Sequence, residues 1–104
     1  MNEDKPLMHN VYFWLKEDAD RALMEQGLQH LGKVPVVQAY TWGKPAPSKK
    51  RDILRDDYDY AINVRLANQE DNEIYAVHPI HLEFIEMCKH LWTRVEVFDN
   101  CLEN

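Results

Sequence analysis

An α+β fold, with helices covering one face of a four-stranded antiparallel sheet, is predicted by three features of this 104-residue sequence. One is a pair of marked strands: an aromatic and β-branched run at residues 7–16 and a regular alternation at residues 58–66. Another is two helical stretches, each with its own stop signal. The last is the order of the elements, β-α-β-β-α-β.

The first strand, LMHNVYFWLK at 7–16, divides by period two. His9, Val11, Phe13 and Leu15 share one face; Met8, Asn10, Tyr12 and Trp14 share the other. Neither face is plainly built for solvent. EDADRALMEQGLQHLGKV, residues 17–34, follows as a helix in which Ala22, Leu23, Gln26, Leu28 and Leu31 approximate one stripe. Asp18 or Asp20 suits its N-cap, Gly32 its C-terminal stop, and Pro35 bars continuation. VVQAYTWG at 36–43 is a second strand.

KPAPSKKRDILRDD at 44–57 is the one long loop, and long loops in compact domains are often functional or mobile. In YDYAINVRL, the third strand, Tyr58, Tyr60, Ile62, Val64 and Leu66 alternate with Asp59, Ala61, Asn63 and Arg65. NQEDNEIYAV and PIHLEFIEMCKHLW are helical, broken at His78-Pro79, because proline suits a first helical turn and disfavours a helical residue before it. TRVEVFD at 93–99 closes the chain as a fourth strand. The whole order is the ferredoxin-like split βαβ pattern, a single domain over 1–104 with its core at about 7–99.

Both helices of that pattern lie on one sheet face, leaving the other open. Here the open face carries Met8, Tyr12, Trp14 and Phe98, an apolar patch of the kind that meets a partner. Two such sheets face to face form a barrel-like homodimer. A net charge of −6 opposes nucleic-acid binding, and the one basic cluster, Lys49-Lys50-Arg51, is followed by Asp52, Asp56 and Asp57. Cys88 and Cys101 form no metal motif and are expected as reduced thiols, Cys88 in the core. The N-terminus lacks a signal-like apolar segment and no run is long enough to cross a bilayer, so a soluble, cytoplasmic protein is expected.

The chemistry-bearing stretch is YAVHPIHLEF, residues 75–84. It supports three readings: a helix junction built on Pro79, an acid/base pair, or a metal clip of His78 and His81 with His9 approaching from the strand. No Asp, Glu or Cys stands beside the histidines in ligand spacing, so no metal is expected, and no cofactor. His30 and His90 read as ordinary helix residues.

MHNVYFWLK, YTWGKPAP, YDYAINV, YAVHPIHLEF and VEVFD, in this order from about Met8 to Asp99, resemble the stress-responsive A/B barrel domain family, which belongs to the dimeric α/β barrels. The resemblance implies the ferredoxin-like fold, a homodimer and a pocket between sheet and helices. Some members of that family look like stress-induced structural proteins. Others resemble cofactor-free polyketide cyclases, and related dimeric barrels include small monooxygenases. In cyclase-like members the second histidine of HPxH is the base and a tyrosine before it assists; those positions are His81 and Tyr75 here. His9 matches a further pocket histidine, whereas Tyr60 stands where such members carry histidine. His78, Trp92 and Tyr40 are further expected lining residues. The ligand expected is a small aromatic or carbonyl-bearing molecule. The function expected is a homodimeric A/B barrel protein with a small-molecule pocket, the alternative being a cofactor-independent enzyme with His81 as general base.

Overall fold

The computed structural model describes residues 2–103. Its elements run β1 (Leu7–Leu15), α1 (Arg21–Leu31), β2 (Ala39–Gly43), β3 (Tyr60–Leu66), α2 (Gln69–Val77), α3 (Pro79–Cys88) and β4 (Trp92–Cys101). Short 3-10 turns occupy Asn2–Asp4 and Lys89–Leu91. The strands form one antiparallel sheet in the order β2-β3-β1-β4, the ferredoxin-like arrangement.

β1 is one of the sheet's two inner strands, paired from Leu7 to Phe13 with β3 and along its whole length with β4. Leu7, Val11, Phe13 and Leu15 are buried beneath the helices with Tyr60, Ile62, Val64 and Leu66 of β3. His9 falls in the same period-two row, an imidazole in an otherwise apolar series. Met24, Leu28 and Leu31 of α1, with Phe84 and Cys88 of α3, close this core from above. Each such apolar side chain contributes roughly 1.5–3 kcal/mol when fully withdrawn from water.

Several boundaries differ from the sequence expectation. α1 begins at Arg21 because Asp20, not Asp18, is the cap, its Oδ1 accepting from the Leu23 N–H at 3.1 Å. Its buried stripe is Met24, Gly27, Leu28 and Leu31, while Ala22 and Gln26 are exposed. β2 begins three residues later than expected, at Ala39, because residues 34–37 form a turn closed by the Val37 N–H to the Val34 carbonyl at 3.1 Å. Pro35 has no N–H to offer a sheet at that point. β3 begins at Tyr60, and Tyr58 falls outside it, on the opposite face from Tyr60. Its ring packs edge-on against Tyr12 at 5.0 Å. Asp59 makes the bend, its N–H donating to the Phe13 carbonyl while its carboxylate accepts from the Leu15 N–H and pairs with Arg21.

The open face is therefore partly covered by its own loop. Arg55 and Tyr58 join Asn10, Tyr12, Trp14, Glu96 and Phe98 around a groove on that side. Arg94 stacks over the Trp14 ring at 4.6 Å and also pairs with Glu96. Phe98 remains 56% exposed and Ile53, at the loop tip, 82% exposed. Among the described residues no helix is long and apolar enough to cross a membrane, and both cysteines are free thiols, Cys88 buried.

Gly27 marks the closest approach of α1 to α3. A Cβ there would lie 2.5 Å from Cys88 Sγ and 3.0 Å from Phe84 Cδ1. Alanine gains up to about 1 kcal/mol of helix propensity over glycine, but overpacking a filled core costs roughly 1–3 kcal/mol. Gly27→Ala is expected to lower the melting temperature by several degrees, and adding Cys88→Ala should recover part of the loss by removing the obstructing sulfur. Calorimetry of the single and double variants measures both. Unchanged melting of the single variant would mean that the helices have room to separate.

Candidate functional site

The break between α2 and α3 sets the site. His78 is at once the C-cap of α2 and the N-cap of α3, with extended backbone at φ −64° and ψ 140°. Its Nδ1 accepts from the Ile80 N–H at 3.1 Å, and Pro79 takes the first helical position, where its missing N–H costs nothing. Three residues on, His81 turns the same ring atom to the opposite use. Its Nδ1 lies 2.9 Å from the Ala76 carbonyl. A carbonyl can only accept, so Nδ1 carries the proton and Nε2 is left with a free lone pair. That bond also satisfies a carbonyl in the last turn of α2. The two histidines of HPIH thus hold opposite tautomers, both dictated by backbone.

Between the helices and the β1–β4 half of the sheet lies a cavity of about 350 Å³. One end is polar, made by His9, Asn72, Tyr75, His81 and Asp99. The other is aromatic, made by Phe13, Phe84 and Trp92, whose rings meet pairwise at 5.1–5.9 Å between centroids. β4 is an edge strand, and Val95 and Val97 stay 38% and 52% exposed on the cavity side. The cavity is therefore a trough whose mouth runs along β4.

At the polar end, the Tyr75 ring lies between two imidazoles, 5.4 Å from His9 and 4.8 Å from His81. Tyr75 is 1% exposed, and its hydroxyl has no hydrogen-bond partner among the described residues. Burial raises the pKa of that phenol well above its ordinary value, so it is a donor throughout the neutral range. Burial also holds the His81 imidazole below its ordinary value of 6.5, with the Ala76 carbonyl opposing and His9 adding a small repulsion. At neutral pH, His81 is a neutral imidazole with an open nitrogen.

His9 is fixed from the far side. Its Nδ1 donates to Asp99 Oδ1 at 2.6 Å, and Asn72, the buried polar residue of the core, donates to Asp99 Oδ2 at 3.4 Å. His9 and Asp99 face each other directly in the β1–β4 register. Asp99 and Asn72 were not among the residues expected at the site. The parity of VEVFD held a signal for Asp99, which shares the face of Val95 and Val97.

Of the residues expected at the pocket, His9, Tyr75, His81 and Trp92 meet there. Three others lie elsewhere, each drawn off by a hydrogen bond. Tyr60 donates to Glu25 Oε2 on α1 at 2.6 Å, and burial together with that carboxylate pushes its phenol up to about 12. Tyr40 donates to the Leu28 carbonyl at 2.6 Å, serving the end of α1. His78 is spent as the cap. The loop at 44–57, open in role from sequence, contributes Arg55 to the groove on the opposite face and no residue to the trough.

The site now has relatives to be set beside it. Olivetolic acid cyclase of Cannabis sativa is 24% identical over 66 residues, which is 64% of this chain and 62% of the cyclase, so the match spans less than two thirds of that relative. The hydroxynitrile lyase of Passiflora edulis superposes with a TM-score of 0.78 at 16% identity, covering 96% of this chain and 95% of the lyase. A dimeric ferredoxin-like protein of unknown function from Thermobifida fusca superposes at 0.76, also with 16% identity, over 98% of this chain and 95% of its own. At such identities the superpositions establish the fold. The family itself is established by sequence: residues 7–101 match the stress responsive A/B barrel domain, and the chain belongs to that family.

Proposed function

We propose that this chain binds a small organic molecule in the trough and, without a cofactor, moves a proton on it. The observation that carries the reading is the Tyr75 hydroxyl, buried and unpartnered among the described residues, on a ring 4.8 Å from the His81 imidazole whose Nε2 is open. Leaving a buried hydroxyl unsatisfied costs roughly 1–3 kcal/mol, and a ligand oxygen placed there would remove that cost. In this reading Tyr75 donates to a ligand carbonyl while His81 Nε2 takes the proton alpha to it, giving an enol or enolate held by the tyrosine. His9, oriented by Asp99, faces the same oxygen, and Trp92 walls the apolar end. The names of two relatives, a cyclase and a lyase, agree with proton-transfer chemistry.

The same proposal takes the protein as a homodimer joined through the open face, through Met8, Tyr12, Trp14 and Phe98. The apolar exposure of Phe98 and the dimeric state described for the Thermobifida fusca protein support it.

Exchange of the alpha protons of 4-phenylbutan-2-one in deuterated water, followed by NMR, should be faster with the protein than in buffer, and His81→Ala should lower the enhancement by ~100-fold or more. The rate should fall as pH drops through the His81 pKa, below the ordinary 6.5, because protonation occupies Nε2. Exchange at the buffer rate would leave binding standing and remove the chemistry. Tyr75→Phe should raise the melting temperature by a few degrees while weakening both binding and exchange; a lower melting temperature would mean the hydroxyl already has a partner. Phe98→Glu should shift the mass in light scattering from dimer to monomer, whereas an intact dimer would place the interface elsewhere.

A further inference from the structure

We infer that the trough selects uncharged, elongated molecules, with one hydroxyl or carbonyl group at one end and an apolar or aromatic body, and that it rejects carboxylates. This rests on the reading of the trough as a small-molecule site and adds the class of molecule admitted.

Length comes from the strand register. His9 and Phe13 lie four residues apart on one face of β1, which places about 13 Å between the polar and aromatic ends. β4 repeats the division, with Asp99 opposite His9 and Val95 opposite Phe13. A ligand that reaches both ends therefore needs an oxygen function and a body of several carbon atoms, aligned along the two strands.

Charge comes from the lining. Its formal charges, histidines aside, are the carboxylates of Asp99 and Glu73, and none of the described lining residues is Lys or Arg. An anion entering the polar end would lose hydration and meet like charge with no cation to compensate. Any positive charge on His9 is already matched by Asp99 at 2.6 Å. An ammonium group would also lose its hydration on entering that end, where Asp99 already accepts from His9 through one oxygen and from Asn72 through the other. A neutral oxygen is different. It needs one donor, which Tyr75 holds unused, and the apolar remainder gains from burial against Phe13, Phe84 and Trp92.

The test is a set of three probes of one shape: 3-phenylpropanol, 3-phenylpropionate and 3-phenylpropylamine, titrated at neutral pH into the full-length isotope-labelled protein and followed by NMR. The alcohol should shift the His9 and His81 backbone amides and the Trp92 indole signal. It should bind at least tenfold more tightly than either the carboxylate or the amine. In the Glu73→Gln, Asp99→Asn double variant the gap between alcohol and carboxylate should close to about threefold or less. A carboxylate or an amine that shifts the same signals with affinity equal to or above the alcohol overturns this inference and leaves the small-molecule reading intact. A gap unchanged in the double variant overturns its electrostatic basis. Probes that shift no trough signal at all overturn the small-molecule reading, and this inference with it.

Discussion

One hydrogen bond governs the site: the His81 ring N–H to the Ala76 carbonyl, made possible by the break at His78-Pro79. A continuous helix would have used the Ala76 carbonyl internally and left His81 free to rotate. Breaking the helix frees that carbonyl, and the imidazole that fills it is fixed in tautomer and in place. Desolvation by the surrounding core then keeps the ring neutral. The position and the tautomer of the His81 ring both descend from the break at Pro79.

The rest of the polar end is built in the same economical manner from groups that hold one another. Asp99 sits opposite His9 because β1 and β4 pair in that register, and Asn72 of α2 reaches the second carboxylate oxygen. Buried polar groups are tolerated when satisfied and costly when not. Here Asp99 holds His9 and Asn72, while among the described residues the Tyr75 hydroxyl has no partner. Stability has been conceded at that hydroxyl, in a cavity, on a ring 4.8 Å from the His81 imidazole. Such a concession at a packed position has the character of a functional site.

The sheet's two faces carry different tasks. Helices pack on one face, but Val95 and Val97 of β4 stay exposed there, so an edge strand becomes the lip of the trough. On the other face the loop at 44–57 folds back, its Lys50–Asp56 and Arg55–Asp57 ion pairs ordering it, and brings Tyr58 onto Tyr12 and Trp14. These exposed pairs contribute little energy individually. Their effect is to shape the apolar surface left around Phe98.

Local rules in the sequence determined most of the fold and the centre of the site. Period-two alternation marked β1 and β3, Asp18 or Asp20 and Gly32 bounded α1, and Pro79 fixed the junction; each acts within a few residues, so each is legible along the chain. The resemblance brought His81, Tyr75 and His9 together. Tertiary structure alone decided the partners of the hydroxyls and carboxylates. Tyr60 and Tyr40 have the parity and chemistry of lining residues, yet Glu25 and the Leu28 carbonyl turn them to α1. Asp99 has the look of a strand-end acid until the β1–β4 register sets it against His9, 90 residues away in the chain. Spacing along a strand says which face a side chain takes. Which partner it finds there depends on packing between distant segments, and no local pattern encodes that.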